Sequence, residues 1–237
     1  MMSIGEVFTD TLLMLLCYVY ILFMIFVSSK IDRLPNASHV ISRKFLHAMI
    51  GNLVFIIPFF TSHFYPVLVA LPFVFVTFFA SPYSPFDNVG RRLRGLADLT
   101  EKGHHLGLVF YAVSYTTLAL FFASQPYIIA AGILPMAYGD SLASVVGQRY
   151  GKRRYKLVEE KTLEGSAAMF LGSFISLAIS LAFFSTLCSF PVLEKIFPAL
   201  AAAVAATLVE SFSPVGFDNL TVPASSVLTF LFFGGGI

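Results

Sequence analysis

The sequence predicts an all-α polytopic integral membrane protein of about eight transmembrane helices, with both termini on the non-cytoplasmic side. Three observations predict it. Of the 237 residues, 57% are apolar and 12% are charged, about half the charged share of a soluble domain. Mean hydropathy is +0.84, and the apolar runs are continuous rather than alternating, which favours helices over the strands of a membrane barrel. Finally, 14 of the 15 Lys and Arg residues fall in three connecting segments, with Lys195 the exception. This composition excludes a soluble globular domain, a disordered chain and a nucleic-acid binder built on a basic surface. Cys17 and Cys188 lie in apolar runs with no metal-type spacing and are read as core residues.

The predicted spans are Val7–Val27, Phe45–Phe60, Tyr65–Phe79, Leu106–Ala123, Tyr127–Val146, Ser166–Phe184, Ala199–Phe212 and Leu220–Gly236. A full crossing takes about 20 residues, so the second, third and seventh are short. The segments Ser28–Lys44, Ala80–His105 and Gly147–Gly165 are polar and basic; Thr61–Phe64, Ser124–Pro126 and Ser185–Pro198 are short or nearly neutral. Under the positive-inside rule the basic set is cytoplasmic, and an even number of spans then puts both termini outside. Glu6 and Asp10 precede the first apolar core and Lys30 and Arg33 follow it, the pattern of an uncleaved first span rather than a signal peptide. The sequons at Asn36 and Asn219 fall on the predicted cytoplasmic side and are read as chance. The whole of 1–237 is expected to be one transmembrane catalytic domain, with its motifs within 42–223.

The polar residues gather at the cytoplasmic ends of the spans rather than along a midplane path, as transport would need. Four clusters stand out. Arg43, Lys44 and His47 open the second span within about one helical turn; they can serve as a snorkelling anchor or as anion ligands. Asp98, Glu101, Lys102, His104 and His105 introduce the fourth span, either as a polar loop or as a phosphate or substrate contact. Asp140 stands inside the fifth span, where a carboxylate is costly and marks function. It shares a helical face with Ser144 and Gly147, while Gly139, Ala143 and Gly147 have the spacing of a close helix contact. The cations Arg149, Lys152, Arg153, Arg154, Lys156 and Lys161 follow, suited to lipid headgroups or to a triphosphate with its metal. Thr162–Ser166 opens the sixth span, whose N-terminal N–H groups suit an anion, with Gly165 allowing close approach. Glu210 and Asp218 flank a Pro/Gly turn and add carboxylates.

The ordered set of Arg43, Lys44 and His47, then Gly139, Asp140, Ala143, Ser144, Gly147 and Gly151, then Lys161, Thr162, Glu164, Gly165 and Ser166, then Glu210, Asp218, Asn219, Leu220 and Pro223 resembles the CTP-dependent polyprenol kinases. That family includes dolichol kinase, phytol kinase and the CTP-dependent diacylglycerol kinase, and the middle stretch also resembles CDP-diacylglycerol synthases. The resemblance implies CTP as phosphoryl donor, Mg²⁺ or another divalent cation, and a long-chain isoprenoid alcohol as acceptor. It implies Asp140 as metal ligand or general base, with Arg43, Lys44 and His47 as catalytic partners. Glu164, Glu210 and Asp218 are further metal candidates. Gly139, Ser144, Gly147, Arg153, Arg154, Lys161, Thr162, Gly165 and Asn219 are expected to bind the nucleotide.

The expected reaction moves the γ-phosphoryl group of CTP to a dolichol- or polyprenol-type alcohol at the cytoplasmic face of a prokaryotic plasma membrane or the endoplasmic reticulum, leaving CDP. A CTP:lipid-phosphate cytidylyltransferase is the nearest alternative, and a membrane transporter a more distant one. Membrane lipid is an expected partner and nucleic acid is not.

Overall fold

The computed structural model describes residues 2–34, 39–85 and 106–236. The Asp98–His105 cluster and the Asn36 sequon lie outside the described residues.

Every predicted span is helical, with longer or shorter bounds. Helix α1 (Ile4–Asp32) starts at a capping box in which Ser3 Oγ accepts from the Glu6 N–H and Glu6 accepts from the Ser3 N–H, satisfying two orphan donors. It runs past Val27 because its last turns are held to the next helix: Ser28 Oγ donates to Ser42 O and Ser42 Oγ to Asp32 Oδ1, both at 2.8 Å. Helix α2 (His39–Gly51) tightens into a 3-10 stretch, Asn52–Phe59, that contains Pro58. Helices α3 (Tyr65–Ala80) and α4 (Gly107–Phe122) follow. Pro126 opens α5 (Pro126–Leu134), which passes through a π-helical turn, Pro135–Gly139, into α6 (Asp140–Tyr150). Helices α7 (Leu163–Cys188), α8 (Val192–Phe212) and α9 (Asp218–Phe232) complete the bundle. Between α8 and α9, Gly216 takes φ +81°, which a residue with a Cβ adopts only at a cost.

Among the described residues five helical stretches are long and apolar enough to cross a membrane: Ile4–Asp32, Val40–Phe59, Pro126–Tyr150, Leu163–Cys188 and Val192–Phe212. The second and seventh segments thus gain the length the sequence reading denied them. Helices α3, α4 and α9 have 16, 16 and 15 residues, about 24 Å at 1.5 Å per residue, short of a roughly 30 Å hydrocarbon layer. The count of crossings supported by length is therefore five, where the sequence suggested eight.

Pro126–Tyr150 is the central rod, 78% buried against 17% for Ile4–Asp32. Its fully buried Ile128, Ile129, Ile133, Leu134 and Met136 join a core with Met169, Leu177, Phe184, Val222 and Phe230 from α7 and α9. Helix α1 instead turns Leu12, Leu15, Val19, Leu22, Phe23 and Phe26 outward, the arrangement of a helix facing lipid. Cys188 is exposed at the end of α7, contrary to its reading as core; Cys17 is buried as expected.

A two-stranded hairpin, β1 (Arg154–Lys156) and β2 (Glu160–Thr162), adds to the helices. Arg154 pairs with Thr162, Tyr155 with Lys161 and Lys156 with Glu160. Strands of three residues leave no periodic signal. The hairpin is held by a tertiary contact: the Tyr155 hydroxyl lies 2.6 Å from Ser166 Oγ and 2.9 Å from Ser211 Oγ.

At the far end of the bundle, buried Asp10 accepts from the Thr61 and Ser62 N–H groups at 2.9 and 2.8 Å. The lone cation of the neutral segments, Lys195, donates to Gly235 O at 2.9 Å and lies over the Tyr127 and Phe190 rings. Asp10 therefore fastens the turn before α3 to α1. Asp10→Ala orphans both N–H groups and is expected to cost about 1.5–3 kcal/mol, read as a lowered unfolding midpoint in detergent.

Candidate active site

Asp140 begins α6 directly after the π turn, and its N–H bonds back to Pro135 O. Pro135 has no N–H to give, so the helix widens there. Asp140 is buried at 4% exposure and its Oδ2 is ion-paired with Lys44 Nζ. Ser141 Oγ donates to Lys44 O at 3.0 Å, which locks the first turn of α6 against α2. His47, one turn on from Lys44, stands edge-on to Tyr111 at 4.4 Å between ring centroids, and the Tyr111 hydroxyl donates to His47 O at 3.2 Å. His47 Nε2 is 3.9 Å from Asp140 Oδ2, beyond hydrogen-bond reach, and is buried without a hydrogen-bond partner.

The small residues serve a close helix crossing. A Cβ on Gly139 would lie 2.2 Å from Ser173 Oγ, and one on Gly172 would lie 3.2 Å from Gly139 Cα. Further along, a Cβ on Gly165 would lie 3.0 Å from Ala143 O and 3.4 Å from Gly147 Cα. Thr162 caps α7 by accepting from the Gly165 N–H at 3.0 Å, so that N–H is already occupied, while Gly165 packs against the rod. The crossing carries the N-terminus of α7 and the hairpin to the mouth of a cavity. On the other wall, Lys161 Nζ donates to Glu210 O at 2.6 Å and is ion-paired with Glu210 Oε1.

The cavity has a volume of about 550 Å³. Of the residues singled out in the sequence, it gathers Arg43, Lys44, Asp140, Ser144, Gly147, Arg154, Lys161, Thr162, Gly165, Glu210 and Asp218. His47 and Asn219 line a small adjoining cavity with Arg43, Lys44 and Asp218. Three expected residues stand elsewhere. Gly139 packs on Met169 and Ser173. Glu164 accepts from the Lys152 and Arg153 N–H groups at 3.1 and 3.3 Å, closing the loop before the hairpin, and neither Glu164 nor Arg153 lines the cavity. Among the described residues no three His, Cys, Asp or Glu side chains form a ready-made metal cluster. Glu160, which heads the Lys161–Ser166 stretch in the sequence, also lines the cavity, as do Gln148 and Glu159, which sequence reasoning missed. Gln148 follows Ser144 at helical spacing and was findable; Glu159 depends on the hairpin.

Fold and site together define a membrane protein of apolar helices with a cavity of cations and carboxylates at one end. Its sequence relatives share a chemistry. The chain is 41% identical over 141 residues to a phytol kinase of Synechocystis, covering 58% of this chain and 59% of that one. It is 36% identical over 152 residues to the dolichol kinase of Saccharomyces cerevisiae, covering 60% of this chain and 28% of that one. It is 30% identical over 135 residues to a chloroplastic farnesol kinase of Arabidopsis thaliana, covering 54% of this chain and 43% of that one. The matched stretch spans less than two thirds of each relative. No family profile and no solved structure matches the chain. By sequence the chain is thus similar to kinases named for phytol, dolichol and farnesol.

Removing one member of the Lys44–Asp140 pair leaves a buried charge uncompensated. Lys44→Met alone is expected to destabilise by about 3–5 kcal/mol, and Lys44→Met with Asp140→Leu by much less; thermal unfolding of the three proteins in detergent reads the difference.

Proposed function

We propose that this protein is a CTP-dependent isoprenoid-alcohol kinase. The observation that carries the reading is the meeting of all four described motif segments, from Arg43 to Asn219, on one charged cavity and its small annex. Relatives named for phytol, dolichol and farnesol support a long isoprenoid alcohol as acceptor. The donor CTP and the dolichol-type acceptor come from the motif resemblance. The basic segments beside the cavity support a cytoplasmic position under the positive-inside rule, the side from which a nucleotide would arrive from water.

Asp140, Glu210 and Asp218 reach the cavity from three helices, beside Glu159 and Glu160 of the hairpin, and among the described residues they form no closed cluster; this fits an ion that takes one or two carboxylates and shares phosphate oxygens, as Mg²⁺ does. Asp140, Asp218 and Glu210 would hold it. An ion held there would supply neutralisation of charge on the phosphates. Arg43, Arg154 and Lys161 hold phosphate oxygens, and Ser144 with the backbone at Gly147 shapes the floor of the cavity. The alcohol oxygen attacks the γ-phosphorus and the bond from that phosphorus to the β,γ-bridging oxygen breaks. CDP leaves, and the hydroxyl proton passes to His47 Nε2 or the Asp140 carboxylate. Lys44 keeps Asp140 ionised and oriented. Such transfers depend mainly on positioning and electrostatics.

The test is purified protein with labelled CTP or ATP, Mg²⁺ and a panel of phytol, farnesol, polyprenol and dolichol. A lipid monophosphate with CDP is expected. A CDP-lipid with pyrophosphate would identify a cytidylyltransferase instead, and no labelled lipid from any alcohol would end the kinase reading. Asp140→Asn should lower kcat by more than about 100-fold while leaving the helical circular dichroism intact. Chelation of divalent cations should abolish turnover, and added Mg²⁺ should restore it.

A further inference from the structure

A second, narrow cavity of about 80 Å³ runs from the charged end into the apolar interior between α1, α2, α3 and α4. Its walls include Ile21 and Ile25 of α1, Leu46 and Ile50 of α2, Phe73 of α3 and Ala112 of α4. Leu108 stands near its mouth and Tyr115, seven residues deeper on α4, is among its lining residues. At 1.5 Å per residue the slot is about 10 Å long. Three cavities stand in series. The small annex shares His47 and Leu108 with the slot, and Arg43, Lys44 and Asp218 with the charged cavity.

The join carries two unsatisfied groups. His47 Nε2 and Asn219 Oδ1 are both buried without a hydrogen-bond partner. Burying such groups is costly unless a ligand satisfies them, and an alcohol hydroxyl has one proton to donate to an acceptor there. An alcohol with an apolar tail matches this sequence of environments: hydroxyl at the join, tail in the slot. A competing apolar groove of about 540 Å³ lies between the central rod and α7, lined by Leu142, Leu171, Ile175 and Ile179. It shares no lining residue with the charged cavity.

We infer that the slot between α1, α2, α3 and α4 binds the first isoprene units of the acceptor, presenting its hydroxyl at His47 and Asn219 toward the charged cavity. The inference rests on the kinase reading and names its lipid site. Ala112, one turn in from the mouth, is the position at which added bulk shortens the slot; Ala70 offers the same on α3. The rest of the tail leaves the slot sideways between α1 and α3, where Ile25 and Phe73 are both partly exposed, into the bilayer.

Two measurements test this. The ratio of kcat/KM for farnesol to that for a single-isoprene alcohol is compared in the parent, Ala112→Phe, Ala70→Leu and Ala168→Leu, the last filling the competing groove. Ala112→Phe and Ala70→Leu are expected to lower the ratio about tenfold or more, since pocket-filling acts on the longer ligand, and Ala168→Leu to leave it unchanged. The second measurement is photo-crosslinking of the parent protein with a farnesol analogue carrying a terminal diazirine. Adducts on Ile25, Phe73 or Tyr115 are expected, and they need no turnover. A ratio that falls in Ala168→Leu alone, a ratio unmoved in all three, or adducts on Leu171 and Ile175 would overturn the inference. Failure of the parent to phosphorylate any alcohol overturns the kinase reading instead.

Discussion

The Lys44–Asp140 pair is the constraint on which the rest of the site depends. Both groups are buried at the wall of the cavity, where a lone charge is costly. Each is therefore tied to the other, and α2 must lie against the start of α6. The π turn at Pro135–Gly139 places Asp140 there. Once those helices are joined, His47 is carried to within 3.9 Å of the same carboxylate and Tyr111 closes behind it. The pair joins residues 96 positions apart.

The second wall is built by close approach instead. The crossings of Gly139 with Gly172 and of Gly147 with Gly165 let α7 lie directly on the central rod. That brings Thr162 and the hairpin to the cavity, where Lys161 meets Glu210 of α8. The cavity therefore lies between two ion pairs contributed by four separate elements. Gly139, Gly147 and Gly165 permit the packing that positions the cations, and Gly147 and Gly165 also line the cavity.

Much of this was legible beforehand. Twelve percent charge in a chain this apolar leaves little choice but a membrane, and each scarce charge becomes informative. Asp140 stood out because a carboxylate inside an apolar run needs a reason, and the structure gives it a partner. Glu164 stood out by its motif, yet its carboxylate closes a loop through the Lys152 and Arg153 N–H groups. Motif membership does not separate a residue that shapes a site from one that lines it. The hairpin was not legible because three-residue strands have no period to detect, and its Tyr155 anchor depends on Ser166 and Ser211 from other helices.

By itself the sequence determined the apolar helices, the gathering of charge at their ends and the kinship with isoprenoid-alcohol kinases, since composition, periodicity and motif order are local properties of the chain. Only the tertiary structure decided which cation meets which carboxylate, that Gly139 and Gly165 serve packing, and that an apolar slot opens behind His47. Those outcomes depend on how helices distant in sequence settle against one another, and helix packing is set by the shapes of all their side chains together.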